Sequence, residues 1–305
     1  MSAYRFCRTD DVQLLVDALN RCWTPSVPGE PPVTAASFKW SIRHLQVWCS
    51  SCMVAFSGAD PIGVLIGAKR PSGTLIHTVA VHPDHRRQGH GRHLLTSLGS
   101  KLAILGPPRI IAEVAEAQAP ARALFSACGY VQEATLTDYV WQRDENDQRE
   151  SAKERQPVSP ASERVGAKPP DLSNAFMMPV TVDDLAANGL LGEGHPQTCW
   201  ERSIETLTAR KEEIAGLAVA SDERIEACLL YVNRGEEAEI LSLRSFIEDE
   251  GARLTQLLSQ LRVRATGTVR FPKVHPDEMS EERGKTLGFR PTGGHLLVAA
   301  TARSE

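Results

Sequence analysis

The chain has 305 residues, which is long enough for two domains that each bury a core. Its 34 basic and 38 acidic residues are intermixed and give a net charge of −4, so no nucleic-acid partner is expected. No apolar run approaches the ~20 residues of a membrane span, and the N-terminal residues carry no signal-peptide core. The seven cysteines are odd in number and scattered, which favours a reducing cytoplasm over a disulfide framework.

Strand and helix signals alternate through the first 142 residues. β-branched runs between turn residues predict strands at 4–7, 52–56, 61–68, 75–81, 109–114 and 130–142. Apolar residues at three- and four-residue steps predict helices at 12–19, 37–47, 94–105 and 119–128, the last of which ends at Gly129. Cys49 and Cys52 flank an apolar strand and lack a second C-x-x-C pair, so buried free thiols are favoured over a metal or redox pair.

One basic turn between a strand and a helix has unusual chemistry. The strand Leu75–Val81 is stopped by His82-Pro83, and Arg86-Arg87-Gln88-Gly89-His90-Gly91 leads into the leucine-rich helix. Glycines let a ligand approach the backbone closely. The N–H groups at a helix N-terminus converge on one spot and favour negative charge. Because Arg86, Arg87 and Arg92 add positive charge, this turn is predicted to bind a phosphate or pyrophosphate.

The spacing of the residues in the turn shows which of the known phosphate-binding loop motifs it matches. A dinucleotide fingerprint needs a further glycine after the first strand, and a Walker A loop needs Gly-Lys-Ser/Thr; both are absent. The residues match V-x-P-x-x-R-x-x-G-x-G, as Val81, Pro83, Arg86, Gly89 and Gly91. This pattern resembles the acetyl-CoA pyrophosphate loop of the GNAT superfamily of N-acetyltransferases. The alternative is a structural turn in which the glycines only cap a helix.

The resemblance implies a cofactor site on this loop and on the strand before it. Acetyl-CoA, as co-substrate, would place its phosphates on Arg86, Arg87, Gln88, Gly89, His90, Gly91 and Arg92. Its pantetheine arm would lie along Val79, Ala80 and Val81, with Gln118 replacing the asparagine that is usual in the family. No metal is expected. The family also implies that the segment between the first two strands shapes the acceptor pocket, although its tryptophans would equally pack against the sheet.

The catalytic residues are less sharply predicted than the loop. Glu113, in the strand RIIAEV, matches the glutamate that ribosomal-protein alanine acetyltransferases use as a base; the alternative is a solvated strand carboxylate. His77 is a second base candidate because strand alternation would give it the same face as Val79 and Val81, or else it is a hydrogen-bonded sheet histidine. Phe125 stands where many members of the family carry a tyrosine close to the sulfur of the cofactor, and phenylalanine cannot donate a proton. Tyr130, Tyr139 or water would then protonate the thiolate of the departing CoA.

The second half repeats the order of elements of the first. A polar stretch, Arg143 to Pro170, indicates a solvated linker. Strands follow at 214–220, 225–232, 240–246 and 268–274 and helices at 254–261 and 280–287, as a duplication would produce. Residues 174–182 either close the first sheet or open the second. The loop Glu248-Asp249-Glu250-Gly251 replaces the basic turn, and its acidic residues would repel a pyrophosphate.

The expected fold class is therefore α/β (α+β), with two tandem acetyltransferase-like domains. Each is a mixed, mostly antiparallel twisted sheet flanked by helices. The expected boundaries are 1–143 for a catalytic domain, 144–170 for a linker and 171–305 for a degenerate copy. The expected function is transfer of acetyl from acetyl-CoA to a primary amine of a small molecule or protein N-terminus, and a homodimer is left open. The alternatives are an acyl-CoA sensor without turnover and transfer across the interdomain cleft, similar to mycothiol synthase.

Overall fold

The computed structural model describes residues 2–26, 29, 31–141, 175–191, 198–265 and 267–303, so the predicted linker 144–170 lies outside the described residues. In chain order the elements are β1 (Ser2–Phe6), α1 (Val12–Cys22), α2 (Ala35–His44), β2 (Met53–Ser57), β3 (Asp60–Arg70), β4 (Gly73–Val81), α3 (His90–Leu105), β5 (Arg109–Ala115), α4 (Ala119–Ala127), β6 (Val131–Trp141), β7 (Phe176–Pro179), α5 (Val182–Ala187), α6 (Ile204–Ala209), β8 (Ala215–Ala220), β9 (Ile225–Arg234), β10 (Glu237–Ser245), α7 (Ala252–Arg264), β11 (Val269–Val274), α8 (Glu281–Thr286) and β12 (Arg290–Thr301).

The chain forms two compact units. Unit 1 comprises residues 1–136, 199–209 and 294–305, and unit 2 comprises 137–198 and 210–293. These boundaries differ from the contiguous division at 143 and 171. The reason is that the later part of the last strand of each half belongs to the unit of the other half: residues 137–141 of β6 to unit 2 and residues 294–301 of β12 to unit 1. Residues 199–209, from the second half of the sequence, also belong to unit 1.

The sheet of unit 1 has the strand order β1-β2-β3-β4-β5-β12. The pair β4–β5 is parallel and the other pairs are antiparallel. Alternate residues of β5 serve different cores: Ile110 and Ala112 pack in the cluster of the α3 leucines, whereas Ile111 packs against the cluster that contains Leu15 and Leu19 of α1. The sheet therefore has an α3 face and an α1 face.

Unit 2 has the corresponding order β6-β11-β10-β9-β8-β7, with β10–β11 parallel. Its core joins the leucines of α7 to the inward residues of β8–β11. Since β7 pairs with β8, this strand opens the second sheet, which decides between the two predictions for residues 174–182. The strand that closes the sheet of unit 1 is β12, which the sequence analysis did not assign.

The tandem arrangement predicted from the order of elements is confirmed. In each unit a nine-residue strand carries a bulge and is followed by a helix whose N-cap is a left-handed glycine. In β4 the extra residue lies between Ile76 and Thr78, which pair with the consecutive β3 residues Gly67 and Ile66. In β10 it lies between Ile240 and Ser242. The N-cap glycines are Gly89, with φ of 86°, and Gly251, with φ of 91°.

The cysteines are free, and Cys49 and Cys52 are buried, as predicted. Burial raises the pKa of the Cys52 thiol well above its ordinary value. Within the described ranges, His, Cys, Asp and Glu side chains form no group that could hold a metal ion. The described helices include none with the length and apolarity required to cross a bilayer.

Candidate active site

The site begins where β4 and β5 separate. Among the described residues these parallel strands pair only at Thr74–Ile110 and Leu75–Ile111. From Ile76 onward, no described strand continues this ladder along the edge of β4 that faces β5. The His82 N–H donates to the Ile62 carbonyl of β3 at 2.9 Å. Because N–H groups alternate between the two edges of a strand, those of Val79 and Val81 point to the open edge.

The turn after β4 leads to an open helix N-terminus. Arg87 and Gly89 both have left-handed backbone conformations, with φ of 64° and 86°. The first bond within α3 runs from the His93 N–H to the Gly89 carbonyl, so the preceding N–H groups lack an intrahelical acceptor. In the described part of the chain, no carbonyl accepts a hydrogen bond from the N–H of Gln88, Gly89 or Gly91. This is the arrangement that binds phosphate groups.

The basic side chains of the turn lie at the surface. Arg86, Arg87 and Arg92 are exposed, as is Gln88. The Arg86 Nε donates to the Val81 carbonyl at 3.1 Å, which anchors the guanidinium at the end of the open β4 edge. The Gln88 amide donates to the Asp84 carbonyl at 3.4 Å.

The two glycines of the turn have different structural roles. A Cβ on Gly89 would meet nothing within 4 Å, so only its backbone conformation and the approach of a ligand select for glycine there. A Cβ on Gly91 would lie 3.1 Å from Leu124 Cδ2, so this glycine also lets α3 pack against α4. A purely structural turn therefore explains why a glycine is needed at 91, through packing, but it does not explain why the space around Gly89 is open.

The side chain of His90 does not face solvent. It is buried, and its Nδ1 lies 2.6 Å from the Tyr4 hydroxyl. His93 stacks on the same tyrosine, with ring centroids 3.8 Å apart. The side chain of His90 thus joins α3 to β1, and its contribution to the anion site is its main-chain N–H.

Glu113 lies on the α1 face of β5, partly buried. Its Oε1 accepts a hydrogen bond from the main-chain N–H of Trp200 at 2.7 Å, which joins residues 87 positions apart in the sequence. Trp200 belongs to the segment Cys199–Ala209 of unit 1, which sequence reasoning did not connect with the site. Neither periodicity nor a motif marks this segment; the only signal was a lone tryptophan close to a cysteine.

The argument that placed His77 on the same face as Val79 and Val81 is wrong. Ile76 pairs with Gly67 and Thr78 pairs with Ile66, so His77 is the extra residue of a bulge. The alternation of faces shifts at this point. The His77 Nδ1 lies 3.0 Å from the hydroxyl of its neighbour Thr78, whereas neighbours in a regular strand point to opposite faces.

Of the two tyrosines proposed as the acid, Tyr130 lies on the α3 face, apart from Glu113, whereas Tyr139 lies in the core of unit 2. Tyr130 is buried in the α3 cluster and packs edge-to-face on Phe125 at 5.0 Å between ring centroids. Burial raises the pKa of Tyr130 above its ordinary value. The structure does not bring Tyr130 together with Glu113, since the two lie on opposite faces of the sheet. Gln118, the N-cap residue of α4, is exposed.

The corresponding loop of unit 2 is already filled. The Asp249 carboxylate accepts hydrogen bonds from the N–H of Gly251 at 3.0 Å and of Arg253 at 2.7 Å. Both loops have a left-handed glycine at the N-cap, but the other left-handed residue is Glu250, directly before it, in unit 2 and Arg87, two positions before it, in unit 1. A protein carboxylate thus lies at the N-terminus of α7.

An open strand edge beside an unfilled, basic helix N-terminus fits the elongated, phosphate-bearing shape of an acyl-CoA. Residues 12–130 match the model of the Acetyltransferase (GNAT) family, so the chain contains a GNAT acetyltransferase domain. This membership implies acyl transfer from an acyl-CoA.

Solved structures extend the likeness to both units. The tandem GNAT protein from the clavulanic acid biosynthesis pathway, without acetyl-CoA, has a TM-score of 0.62 at 15% identity, covering 100% of this chain and 99% of its own. A GCN5-related N-acetyltransferase from Sphaerobacter thermophilus has a TM-score of 0.64 at 14% identity, covering 99% and 96%. A putative acetyltransferase from Pyrococcus horikoshii has a TM-score of 0.59 at 14% identity, covering 100% and 90%. At such identities the likeness establishes the fold. No curated protein sequence matches the chain.

Proposed function

We propose that the protein is an acetyl-CoA-dependent N-acetyltransferase that acts on a primary amine of a small molecule or protein N-terminus, with unit 1 catalytic. The observation that carries this proposal is the open edge of β4 beside the unfilled N-terminus of α3. The main-chain N–H groups of Gln88, Gly89 and Gly91 have no carbonyl acceptor among the described residues, and three exposed arginines lie in the same turn. Unit 1, with residues 1–136, 199–209 and 294–305, would then supply the catalytic elements, and unit 2 would be a degenerate copy.

Different residues of unit 1 would bind the cofactor and stabilise the charge that develops in the reaction. The N–H groups of Gln88, Gly89 and Gly91, with Arg86, Arg87 and Arg92, would hold a diphosphate. Acetyl-CoA would supply an activated acetyl group, whose C–S bond breaks as the new C–N bond forms. The Val79 N–H on the open edge would stabilise negative charge on the carbonyl oxygen. Ala80, Val81 and Gln118 would bind the pantetheine arm.

Proton transfer is assigned to Glu113. Its carboxylate would take the proton that the amine loses on attack, directly or through one water. With Phe125 in the tyrosine position and Tyr130 buried on the other face, the departing thiolate would take its proton from water. A thiol has an ordinary pKa near ~8.5, so an unassisted thiolate is an acceptable leaving group at neutral pH. His77 stays the alternative base.

Unit 2 would not bind the cofactor. In its loop the Asp249 carboxylate occupies the N–H groups that a phosphate would need. Acetyl-CoA should therefore bind with one molecule per chain, which isothermal titration calorimetry measures. The same occupied loop would hold the N-terminus of α7 in place without any ligand.

The direct test incubates the full chain with acetyl-CoA and a panel of primary amines, including peptides with free N-termini, and follows thiol release. Amine-dependent release is expected, and Glu113→Gln should lower the rate with little change in the dissociation constant of acetyl-CoA. Unchanged turnover in Glu113→Gln would transfer the role of base to His77 or to water. Binding of acetyl-CoA without release for any amine would favour the second candidate, an acyl-CoA sensor, which the engagement of Glu113 by Trp200 also supports.

A further inference from the structure

A short segment from the second half of the sequence closes around the candidate base of unit 1. This segment, Cys199–Ala209, begins with Trp200, whose main-chain N–H is the donor to Glu113. Trp200 is 5% exposed. A carboxylate on a strand can rotate about its side-chain bonds, and a 2.7 Å charge-assisted hydrogen bond restricts that rotation.

Trp200 is itself held by contacts on several sides. Its indole N–H donates to the Leu45 carbonyl at 2.9 Å. Its own carbonyl accepts from the hydroxyls of Thr206 at 2.8 Å and Ser203 at 3.1 Å. The Arg70 guanidinium lies over the indole, 3.8 Å from the ring centroid. These contacts leave the donor to Glu113 little freedom to move.

Arg70 anchors the arrangement to the rest of unit 1. It is 5% exposed and donates to the Gln46 side-chain oxygen at 2.7 Å and to the hydroxyls of Ser203 and Thr206. Burial lowers the pKa of Arg70 to about 10, so it stays charged at neutral pH. The negative charges of Glu205 and Glu113 oppose this lowering of the Arg70 pKa. A buried arginine this fully engaged fixes geometry, since its planar fork loses little entropy per bond.

We propose that Trp200 is a positioning residue for acyl transfer: its N–H holds the Glu113 carboxylate in the orientation that receives the proton of the acceptor amine. Arg70 acts indirectly in this role, by holding the indole of Trp200 in place. This inference rests on the proposed function, because it assumes that Glu113 is the base. It gives the second half of the chain a part in catalysis through residues 199–209, although its own anion loop is filled.

The position of Trp200 allows a matched pair of substitutions. Trp200→Ala and Trp200→Pro both remove the indole, but only proline removes the N–H that Glu113 uses. The backbone tolerates proline there: Trp200 is the first residue of a 3-10 helix, and Cys199 before it is extended, with φ of −65° and ψ of 163°. Any difference between the two variants therefore reports the N–H.

The experiment measures thiol release from acetyl-CoA with the best amine of the panel, in both variants and in each combined with Glu113→Ala. Trp200→Pro should have a kcat about tenfold below that of Trp200→Ala, with the acetyl-CoA dissociation constant equal within about twofold. In the Glu113→Ala background the two should be equal. Trp200→Phe, which keeps an aromatic ring and the main-chain N–H but loses the indole N–H, controls for folding together with thermal melts.

The outcomes separate this inference from the function on which it rests. Equal kcat values for folded Trp200→Ala and Trp200→Pro, or a tenfold ratio that persists without Glu113, would overturn the positioning role while acetyl transfer stands. A wild-type chain that binds acetyl-CoA and releases no thiol with any amine would refute both. A purely structural role for Trp200 predicts equal kcat for the two variants after correction for the folded fraction.

Discussion

The assignment of the anion loop is tested most sharply by putting a negative charge on Gly89. This residue is exposed and a Cβ there meets nothing within 4 Å, so Gly89→Glu adds charge without a clash. A carboxylate about 6 Å from a diphosphate with about two charges is repelled by ~1.4 kcal/mol at the dielectric constant of water and by ~3 kcal/mol at half that value. Acetyl-CoA should therefore bind about 10- to 100-fold more weakly in calorimetry.

The two units provide the controls for this prediction. Gly89→Ala carries the same left-handed strain, about 1–2 kcal/mol, without the charge, so it should lower stability and leave affinity nearly unchanged. Gly251→Glu puts the charge at the matching position of unit 2, where φ is 91°, and should not affect binding. Because the repulsion is electrostatic, it should shrink at high salt. A loss below about threefold in Gly89→Glu, or an equal loss in Gly251→Glu, would refute the assignment.

Three further predictions concern stability and are measured by urea unfolding. Asp249→Ala removes the carboxylate that caps α7 and should cost about 1–2 kcal/mol. Because Glu248 and Glu250 still repel a pyrophosphate, calorimetry should detect no second acetyl-CoA site in this variant, and a stoichiometry of two would contradict this. Arg70→Met leaves Gln46, Ser203 and Thr206 without their donor and should lower the free energy of unfolding by about 3 kcal/mol. Its control, Arg109→Met, breaks an exposed ion pair with Glu133 and should lower it by less than about 1 kcal/mol. Equal losses would show that burial of the arginine does not determine the cost. Burial raises the pKa of Cys22 to about 11, so the stability it contributes is complete below its unfolded value of 9.0 and is lost as pH rises to 11. At pH 10.5 that loss is about 2 kcal/mol, and Cys22→Ala should remove it; an identical pH dependence in the variant would disprove the effect.

Local patterns predicted the elements that local physics determines. The leucines at three- and four-residue steps formed α3, and Gly129, with φ of 82°, ends α4 as expected of a C′ glycine. The turn Arg86–Gly91 was predicted because glycines, arginines and a helix start are all visible within one short stretch. Its backbone has the open N–H groups that this chemistry needs.

Long-range pairings were not predictable in the same way. β12 pairs with β5 of unit 1 although it comes from the second half of the sequence. The alternation of residues along a strand predicts that the strand exists but does not indicate which strand it pairs with. The bulge at His77 inserts a residue opposite Gly67 and Ile66, and a count of alternating positions does not reveal it. The contact between Glu113 and Trp200 uses a main-chain N–H, a donor that every residue except proline carries, so no side-chain pattern could indicate it.

The filled loop of unit 2 supports the assignment of the open loop of unit 1. Both loops place a left-handed glycine at the N-cap of a helix after a bulged strand, so they offer convergent N–H groups of the same kind. In unit 2 these groups bind an anion, the Asp249 carboxylate, at 3.0 and 2.7 Å. The backbone geometry therefore selects negative charge within this molecule. In unit 1 the matching residue positions carry Arg86, Arg87 and Gln88, none of which is anionic, and this supports the proposal that a ligand supplies the anion there.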